Sequence, residues 1–589
     1  MMCAKLWIIF HYFQIKRFQP GGLAVQHQIL DPSNKTYFAI EKLPHELILR
    51  IFSFLSFKDL NILNQVSPWM YHMAMDPVLW RNFVLEVQPE FLEIMLEIPR
   101  LSKLRQVHLS ENNKTSLCDF GRKKDFSHIL RQKHRNKERV FQDAFETLIS
   151  KENVEDLRIT TCIGRSLSGV PSEILSKALN QMSNIDIEST QISPNQIKDF
   201  FVKMMRKTKI RKMNCKRKDL SIVPPDQIAN SVNKLESANI CFTNLIDSQT
   251  REIFRQISSD TKLEKLDISY NNLGGVQPPA FSEAMNKVVE ANINVTYLTG
   301  EQTAALFEKM LEQSSLKILK IRSNNLSAVP PHILSKALNK LEVIDIGTTV
   351  MTEEQTKGLF DTMVKGTNLK KMDIGGNVGN PNFMPSVPPD ILAKALNKLC
   401  EARLYYTALT TDQSLAMLKR MMVESKLSML DIRKVNLTEI PPKLFADAIG
   451  HLNEIIVEEV TEAQAWELFN KIAENESELE IINIKSSNLS GIHPQIFSKA
   501  ANQLKGILVE NANLQAEQVT TFFSDMSVET SLKKVDLSQN NISEVHPEEL
   551  TTALEKVEVA VLINSSITED QRKGLRYLKY YHNIKIILE

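Results

Sequence analysis

"VPPHILSKALNK" occupies residues 329–340, and "VPPDILAKALNK" occupies 387–398; the two differ at two positions. The valine that opens them recurs along the chain as Val170, Val223, Val276, Val329, Val387, Ile440, Ile492 and Val545. The steps between copies are 53, 53, 53, 58, 53, 52 and 53 residues. Eight copies at one period identify a repeat architecture. The step of 58 marks an insertion around "GNVGNPNF" (376–383), whose Gly, Asn and Pro content places it in a loop.

Each 53-residue unit splits into two similar halves. First halves read "LEKLDISYNNL" (263–273), "LKILKIRSNNL" (316–326) and "LKKVDLSQNNI" (532–542). Second halves read "LEVIDIGTTVM" (341–351) and "LCEARLYYTAL" (399–409). Apolar residues fall at positions 1, 4, 6 and 11 of both. Alternation at 4 and 6 predicts a short strand with one buried face. Position 9 of the first halves is Asn271, Asn324, Asn377 and Asn540, expected to turn the chain and bond exposed backbone groups of the neighbouring repeat. Thr190, Thr243, Thr296, Thr349 and Thr407 hold that place in second halves. Cys162, Lys218, Val435, Val460 and Ala512 break the rule, and this structural ladder is expected to weaken there.

A helix should follow each strand. In first halves it opens with proline, which suits a first helical turn, and continues with apolar residues at i, i+3, i+4 spacing. In second halves it opens with a capping box, S/T-x-x-Q, at Ser193–Gln196, Thr299–Gln302, Thr352–Gln355, Thr410–Gln413, Thr461–Gln464 and Thr568–Gln571. No strand–turn–helix unit of this size can bury its own apolar face, so the units must stack into an α/β solenoid, with a parallel sheet on the concave side and helices on the convex side. The pattern resembles the leucine-rich repeat, about sixteen repeats in eight units, and the alternation is most similar to the ribonuclease-inhibitor type. The resemblance implies a right-handed horseshoe.

Residues 43–83 read "LPHELILRIFSFLSFKDLNILNQVSPWMYHMAMDPVLWRNF". Pro44 sits where a helix begins; Leu47, Ile48, Ile51, Phe52 and Leu55 form one stripe at helical spacing. Asp59 starts a second helix with Leu60, Leu63 and Val66, and "DPVLW" (76–80) a third. Three short helices cannot bury this much apolar surface alone. Leu43, Ile51, Phe52, Trp69 and Trp80 need a partner or a neighbouring domain, and a helical cap on the array answers the physics as well as a docking module does. The order LP-x-E, IFSFL, DL, V-S-x-x-W, D-x-x-LW resembles the F-box. That resemblance implies docking onto the Skp-type adaptor of a Skp–cullin–F-box ubiquitin ligase and, through it, a cullin. Leu43, Pro44, Ile48, Ile51, Phe52 and Leu55 would face the adaptor, with Leu60, Trp69 and Trp80 joining them. The stripe is then expected to face solvent in the isolated chain. The repeats would capture a protein substrate.

These readings divide the chain into a poorly ordered leader (1–37), an F-box (38–84), a helical linker with a degenerate first repeat (85–150) and the repeat array (151–589). The leader includes "LWIIFHYF" (6–13), about half of what a helix needs to cross a bilayer. The segment "YLKYYHNIKIILE" either folds over the end of the array or leaves the last strands open.

Positions 3, 5 and 7 should point to the concave face. First-half strands carry 10 basic and 5 acidic residues there, and second-half strands 1 basic and 8 acidic, so neighbouring strands oppose in sign. Lys212, Lys216, Lys320 and Arg322 are among the basic residues, and Asp186, Glu188, Asp345 and Glu458 among the acidic. Cross-strand pairing and a striped docking surface both fit. The last second halves turn Ile456, Leu508, Val559, Val561 and Ile563 inward, and Tyr405 and Tyr406 add an aromatic pair; clustered apolar and aromatic residues mark contact sites. Tyr405, Tyr406, Ile456, Leu508 and Val561 are therefore the candidate substrate contacts.

Composition narrows the class. With 71 basic and 70 acidic side chains, the chain lacks the charge excess of a dedicated nucleic-acid binder. The basic segments 122–139 and 203–218 read as solvated faces, anion patches or nuclear localisation signals. Six widely spaced cysteines without a CxxC pair argue against a metal or disulfide framework and for a reducing, cytoplasmic setting. No P-loop, HExxH or G-x-S-x-G occurs, so no catalytic residue, cofactor or metal is expected, and no membrane association.

Overall fold

The computed structural model describes residues 44–53, 55, 60, 68–74, 76–80, 83–87, 92–97, 104–110, 140–151, 154–160, 167–206, 208–376, 384–581 and 584–588. The basic segment 122–139, Leu43, Asp59, Cys162, Asn377 and the insertion at 377–383 lie outside them. The chain comprises two compact units, divided between Asn244 and Leu245.

The two opening segments show how a repeat is built. In the first, Pro331 begins the helix Pro331–Leu338, whose Leu334, Ala337 and Leu338 are buried. Asn339 is also buried and donates from Nδ2 to Ser335 O (2.8 Å) and to Leu359 O of the next helix (3.4 Å). Lys340 donates from Nζ to Met310 O (3.2 Å) and Leu311 O (2.9 Å), at the carboxyl end of the preceding helix Gly300–Glu312. A cation there satisfies orphan carbonyls and the helix dipole together. Lys398 does the same for Val364 O (2.6 Å) in the second copy, and Lys556 for Ser527 O (2.6 Å). The motif thus encodes both the repeat's core and its grip on the repeat before it.

In the first unit, β1 (Val84–Val87), β2 (Gln106–Ser110), β3 (Asp156–Thr160), β4 (Asn184–Asp186), β5 (Lys212–Asn214) and β6 (Ser237–Asn239) pair in chain order, all parallel. The second unit continues as β7 (Lys265–Asp267), β8 (Glu290–Asn292), β9 (Ile318–Lys320), β10 (Val343–Asp345), β11 (Lys371–Asp373), β12 (Glu401–Arg403), β13 (Met429–Asp431), β14 (Glu454–Glu458), β15 (Ile481–Lys485), β16 (Gly506–Leu508), β17 (Lys534–Asp536), β18 (Val559–Val561) and β19 (Lys585–Ile587). These strands also pair in parallel with their sequence neighbours. Strands alternate with helices, and each unit contains a stretch of α/β solenoid.

The sixteen strands expected after Val154 are β3 to β18. Three more occur among the described residues. β1 and β2 extend repeat-like pairing into the segment read as a linker. β19 lies in the C-terminal segment, for which two placements were open: it pairs with β18 as a further strand and places Ile587 beside Val561. Its alternating "IKII" has the pattern of the other strands, so adding to the sheet satisfies backbone and apolar face together.

Core positions are filled as the period requires. Leu263, Leu266, Ile268 and Leu273 are buried in one repeat, and Phe254 stacks on Phe281 (5.4 Å) between helices.

Two polar ladders join the repeats. Asn324 donates from Nδ2 to Ile293 O of the preceding repeat (2.9 Å) and to Ile321 O of its own (3.1 Å), and its Oδ1 accepts from Leu298 N (3.3 Å). Asn540 repeats this with Val509 O (2.7 Å) and Ala512 N (3.1 Å), and Asn271 accepts from Leu245 N (3.2 Å). The threonines bond within their own turns, Thr349 Oγ1 donating to Ile346 O (2.6 Å) and Thr296 Oγ1 to Ile293 O (2.8 Å), and Thr296 Oγ1 also lies 3.3 Å from Asn324 Oδ1 of the next repeat.

The second ladder is the glutamine of the capping box. All six boxes form, with the glutamine Oε1 accepting from the N-cap backbone N–H. The same glutamine is buried and donates from Nε2 to two carbonyls of the preceding turn. Gln355 reaches Leu326 O (2.8 Å) and Val329 O (2.6 Å), and Gln302 reaches Leu273 O (2.8 Å) and Val276 O (2.7 Å). Gln518 does so behind a non-standard cap, Gln515.

The expected weak points are not all weak. Lys218 is buried and donates from Nζ to Glu188 O (2.7 Å) and Thr190 O (2.5 Å), taking the place of the asparagine. Burial lowers its pKa, and the Cys215 and Glu188 charges oppose that shift. Val435, Val460 and Ala512 are buried, and Val460 N donates to Ser487 Oγ of the next repeat (3.1 Å).

Candidate functional site

Three short helices have described bounds within residues 44–80, and Leu60 is helical as well. α1 (His45–Phe52) follows Pro44, α2 spans Pro68–Ala74, and α3 spans Pro77–Trp80. Asp76 starts α3 by accepting from Val78 N (2.9 Å), and it lies 3.3 Å from His45 Nε2. Trp80 is fully buried, donates from Nε1 to Ala74 O (2.8 Å) and meets Phe83 with ring centroids 5.8 Å apart. Ile48, Ile51, Phe52, Leu55 and Leu60 are buried; Trp69 is half-buried. Pro44 and Val78 are exposed, and Leu47 retains 37% of its surface.

The sheet surface opposite the helices is the second candidate. Opposed charges pair across strands: Lys216–Glu188 at 3.1 Å, Lys265–Glu290 at 2.9 Å, Arg322–Asp345 at 3.1 Å, Lys371–Glu401 at 2.5 Å and Lys485–Glu510 at 2.6 Å. Cross-strand support is therefore their first role.

In the second unit one row of facing residues runs Asp345, Asp373, Arg403, Asp431, Ile456, Asn483, Leu508, Asp536, Val561, Ile587. It is charged up to β13 and carries apolar residues from β14 on. At the charged end Arg322 Nη2 also lies 2.9 Å from Asp373 Oδ2, and its Nη1 donates to Gly375 O (3.3 Å). Tyr405 is half-buried under two guanidinium groups, Arg322 at 5.7 Å and Arg433 at 4.9 Å from the ring centre, and meets Tyr406 edge-on. Gly375 makes room for that ring, since a Cβ there would lie 2.6 Å from Tyr405 Cδ1. Burial pushes the Asp373 carboxyl up to about 6; the Asp345 charge adds to this, and Arg322, shared between two carboxylates, only partly offsets it.

Tyr406 is exposed, and Ile456 and Val561 are half-buried. Leu508 is buried, which corrects the reading of it as an open contact: the strands carrying Asn483 and Asp536 flank it on both sides.

Among the described residues no group of His, Cys, Asp and Glu could hold a metal ion, and no helix is long and apolar enough to cross a membrane. Burial pushes the Cys215 thiol up to about 12, which keeps it unreactive.

Residues 40–86 match the F-box-like family model, and residues 262–284 and 531–553 match the Leucine Rich Repeat model. The chain carries an F-box-like domain and leucine-rich repeats. Comparison with curated proteins returned no match. Both repeat matches fall on first halves, where Asn271 and Asn540 keep the asparagine. Within the F-box, burial overturns one expectation. The stripe Ile48, Ile51, Phe52 and Leu55 does not face solvent in the isolated chain, and Leu60 and Trp80 are likewise enclosed. A segment this small needs those side chains for its own core. Among the described residues of the match, the exposed apolar side chains are Pro44, Leu47, Val78 and Val84. Sequence reasoning missed Val78, because a four-residue helix has no periodicity to read.

Proposed function

We propose that the chain is the substrate-recognition subunit of a Skp–cullin–F-box E3 ubiquitin ligase. The F-box docks the Skp-type adaptor through Leu43, Pro44 and Leu47, and the buried residues Ile48, Ile51, Phe52, Leu55, Leu60 and Trp80 shape that docking face from behind. Trp69, half-buried, contributes to the same face. The strand face of the repeats holds the protein substrate, with Tyr405, Tyr406, Ile456 and Val561 as contacts. The observation that carries this reading is the F-box-like match at 40–86 in the same chain as the repeats. The chain itself performs no chemistry and needs no cofactor; it raises the rate of ubiquitin transfer by proximity, holding a target lysine near a ubiquitin carried by another subunit. It works in the cytoplasm, with access to the nucleus if the basic segments act as import signals.

The enclosed stripe of α1 favours a second reading, in which 43–83 acts as a cap and the array clamps a partner as a ligase-independent scaffold or inhibitor. Affinity purification of the full chain beside a chain lacking 43–83 separates them. Adaptor and cullin recovered with the full chain alone support the ligase; neither recovered with either chain refutes it.

A further inference from the structure

Four helices of the second unit begin with an acidic residue. Asp247 is answered by Arg251 (3.5 Å), Glu353 by Lys357 (2.6 Å), and Glu569 by Arg572 (3.9 Å) and Arg576 (3.7 Å), each on its own helix. The fourth is Glu462, first residue of the helix Glu462–Ala473. The residue four positions on, where Asp247 and Glu353 find their cations, is Trp466, and Glu467 follows it. Glu462 has one polar contact among the described residues, Asn488 Nδ2 at 3.4 Å, and neither Glu462 nor Glu467 has an ion pair there.

These groups enclose space. Pro442, Glu462, Ala463, Trp466, Glu467 and Gly491 line a surface cavity of about 450 Å³. Trp466 keeps 43% of its surface, although the helix it belongs to buries its other large side chains, Leu468 and Phe469. Gly491 gives the carboxylate its place, because a Cβ there would overlap Glu462 Oε1. Gly275 stands in the same relation to Asp247, with a Cβ 3.0 Å from its carboxylate, but there Arg251 supplies the charge.

We propose that this cavity binds an arginine side chain from a protein partner. Indole is the best cation–π face among side chains, and a planar guanidinium can stack on it while its N–H fork pairs with carboxylates. Glu462 and Glu467 supply those carboxylates. An apolar occupant would strip water from two anions and give nothing back. The site is thus the cation position of the sister helices with the cation left to come from outside. It lies on the helix side and is independent of the F-box.

The test uses the full chain labelled with 5-fluorotryptophan, with the Trp466 resonance assigned by Trp466→Phe. N-acetyl-arginine amide, N-acetyl-citrulline amide and N-acetyl-leucine amide are titrated to ~50 mM, above the millimolar constant expected of one side chain. The expected result is a saturable shift with the arginine probe, at least ~10-fold weaker binding of the neutral citrulline probe, and loss of the shift in a Glu462→Gln/Glu467→Gln variant with unchanged melting. An unmoved resonance, an equal response to citrulline or leucine, or full binding by the double variant overturns the proposal.

Discussion

The repeat array and the F-box both bury apolar side chains in short elements, but they do so on different terms. In the array the recurring polar joints reach one repeat back: Asn324 to Ile293, Gln355 to Leu326 and Val329, Lys340 to Met310. Among the described residues of the F-box the joints are unrepeated, as with Trp80 and Ala74, Asp76 and Val78, or His45 and Asp76. An array can therefore lose a whole period and close over the gap, whereas the F-box has no second copy of anything.

The largest effect should come from breaking the period. Deleting 265–317 brings Ile318 to the place of Lys265, and Asn324 and Gln355 inherit the joints of Asn271 and Gln302. Deleting 265–289 removes β7 and the turn that Gln302 holds, leaving its amide without acceptors. The first chain should melt cooperatively near the parent's temperature and the second should not. Equal melting of the two would dissolve the distinction between period and half-period.

Next comes the unrepeated core. Trp80→Ala should cost about 3–5 kcal/mol, the range for deleting a large buried aromatic. Hydrogen exchange should localise the loss to residues 44–87 and leave β7 to β18 protected. Deprotection spread over the whole array would mean that the F-box carries the array's stability.

The joints themselves rank third. Asn324→Ala should cost about 1–3 kcal/mol, because it strands buried donors and acceptors. Lys218→Met should cost a similar amount. Thr349→Val, which removes one bond within its own turn, should cost below about 1 kcal/mol. Equal losses at Asn324 and Thr349 in chemical denaturation would show that reaching back one repeat confers nothing.

These joints mark how far the sequence could be read. The period, the strand–turn–helix order and all six capping boxes were legible, because each recurs often enough to stand above chance. What the glutamine Nε2 does was not, since S/T-x-x-Q describes one helix end and says nothing about the turn beneath it. Lys218 was misread for a related reason: position 9 looked degenerate by residue type, yet a long side chain delivers its donor to other carbonyls of the same preceding turn. The F-box stripe was legible as a stripe, but helical spacing does not say which side of a three-helix segment faces inward. Leu508 failed likewise, because position 5 predicts a direction and not how closely neighbouring strands enclose it.

The smallest stability effect concerns the charged half of the strand face. Asp373 has a folded pKa of about 6, raised above its ordinary value. Between that value and the unfolded one the folded chain binds the extra proton, so this group's contribution favours folding as pH falls through 6 and opposes it as pH rises. Asp373→Asn should flatten the dependence of melting temperature on pH between about 4 and 7 without lowering it at pH 8. A lower melting temperature at pH 8 would mean that the ion pair with Arg322 outweighs burial.

The surface of the F-box decides the account as a whole. Pro44→Ala/Leu47→Glu changes exposed side chains only, so melting should stay within about 0.5 kcal/mol of the parent. Purified from cells beside the parent, this variant should lose adaptor and cullin together while keeping its other bound proteins. Adaptor and cullin recovered in equal amounts with parent and variant, or with neither, would contradict the assignment of this chain as a ligase receptor.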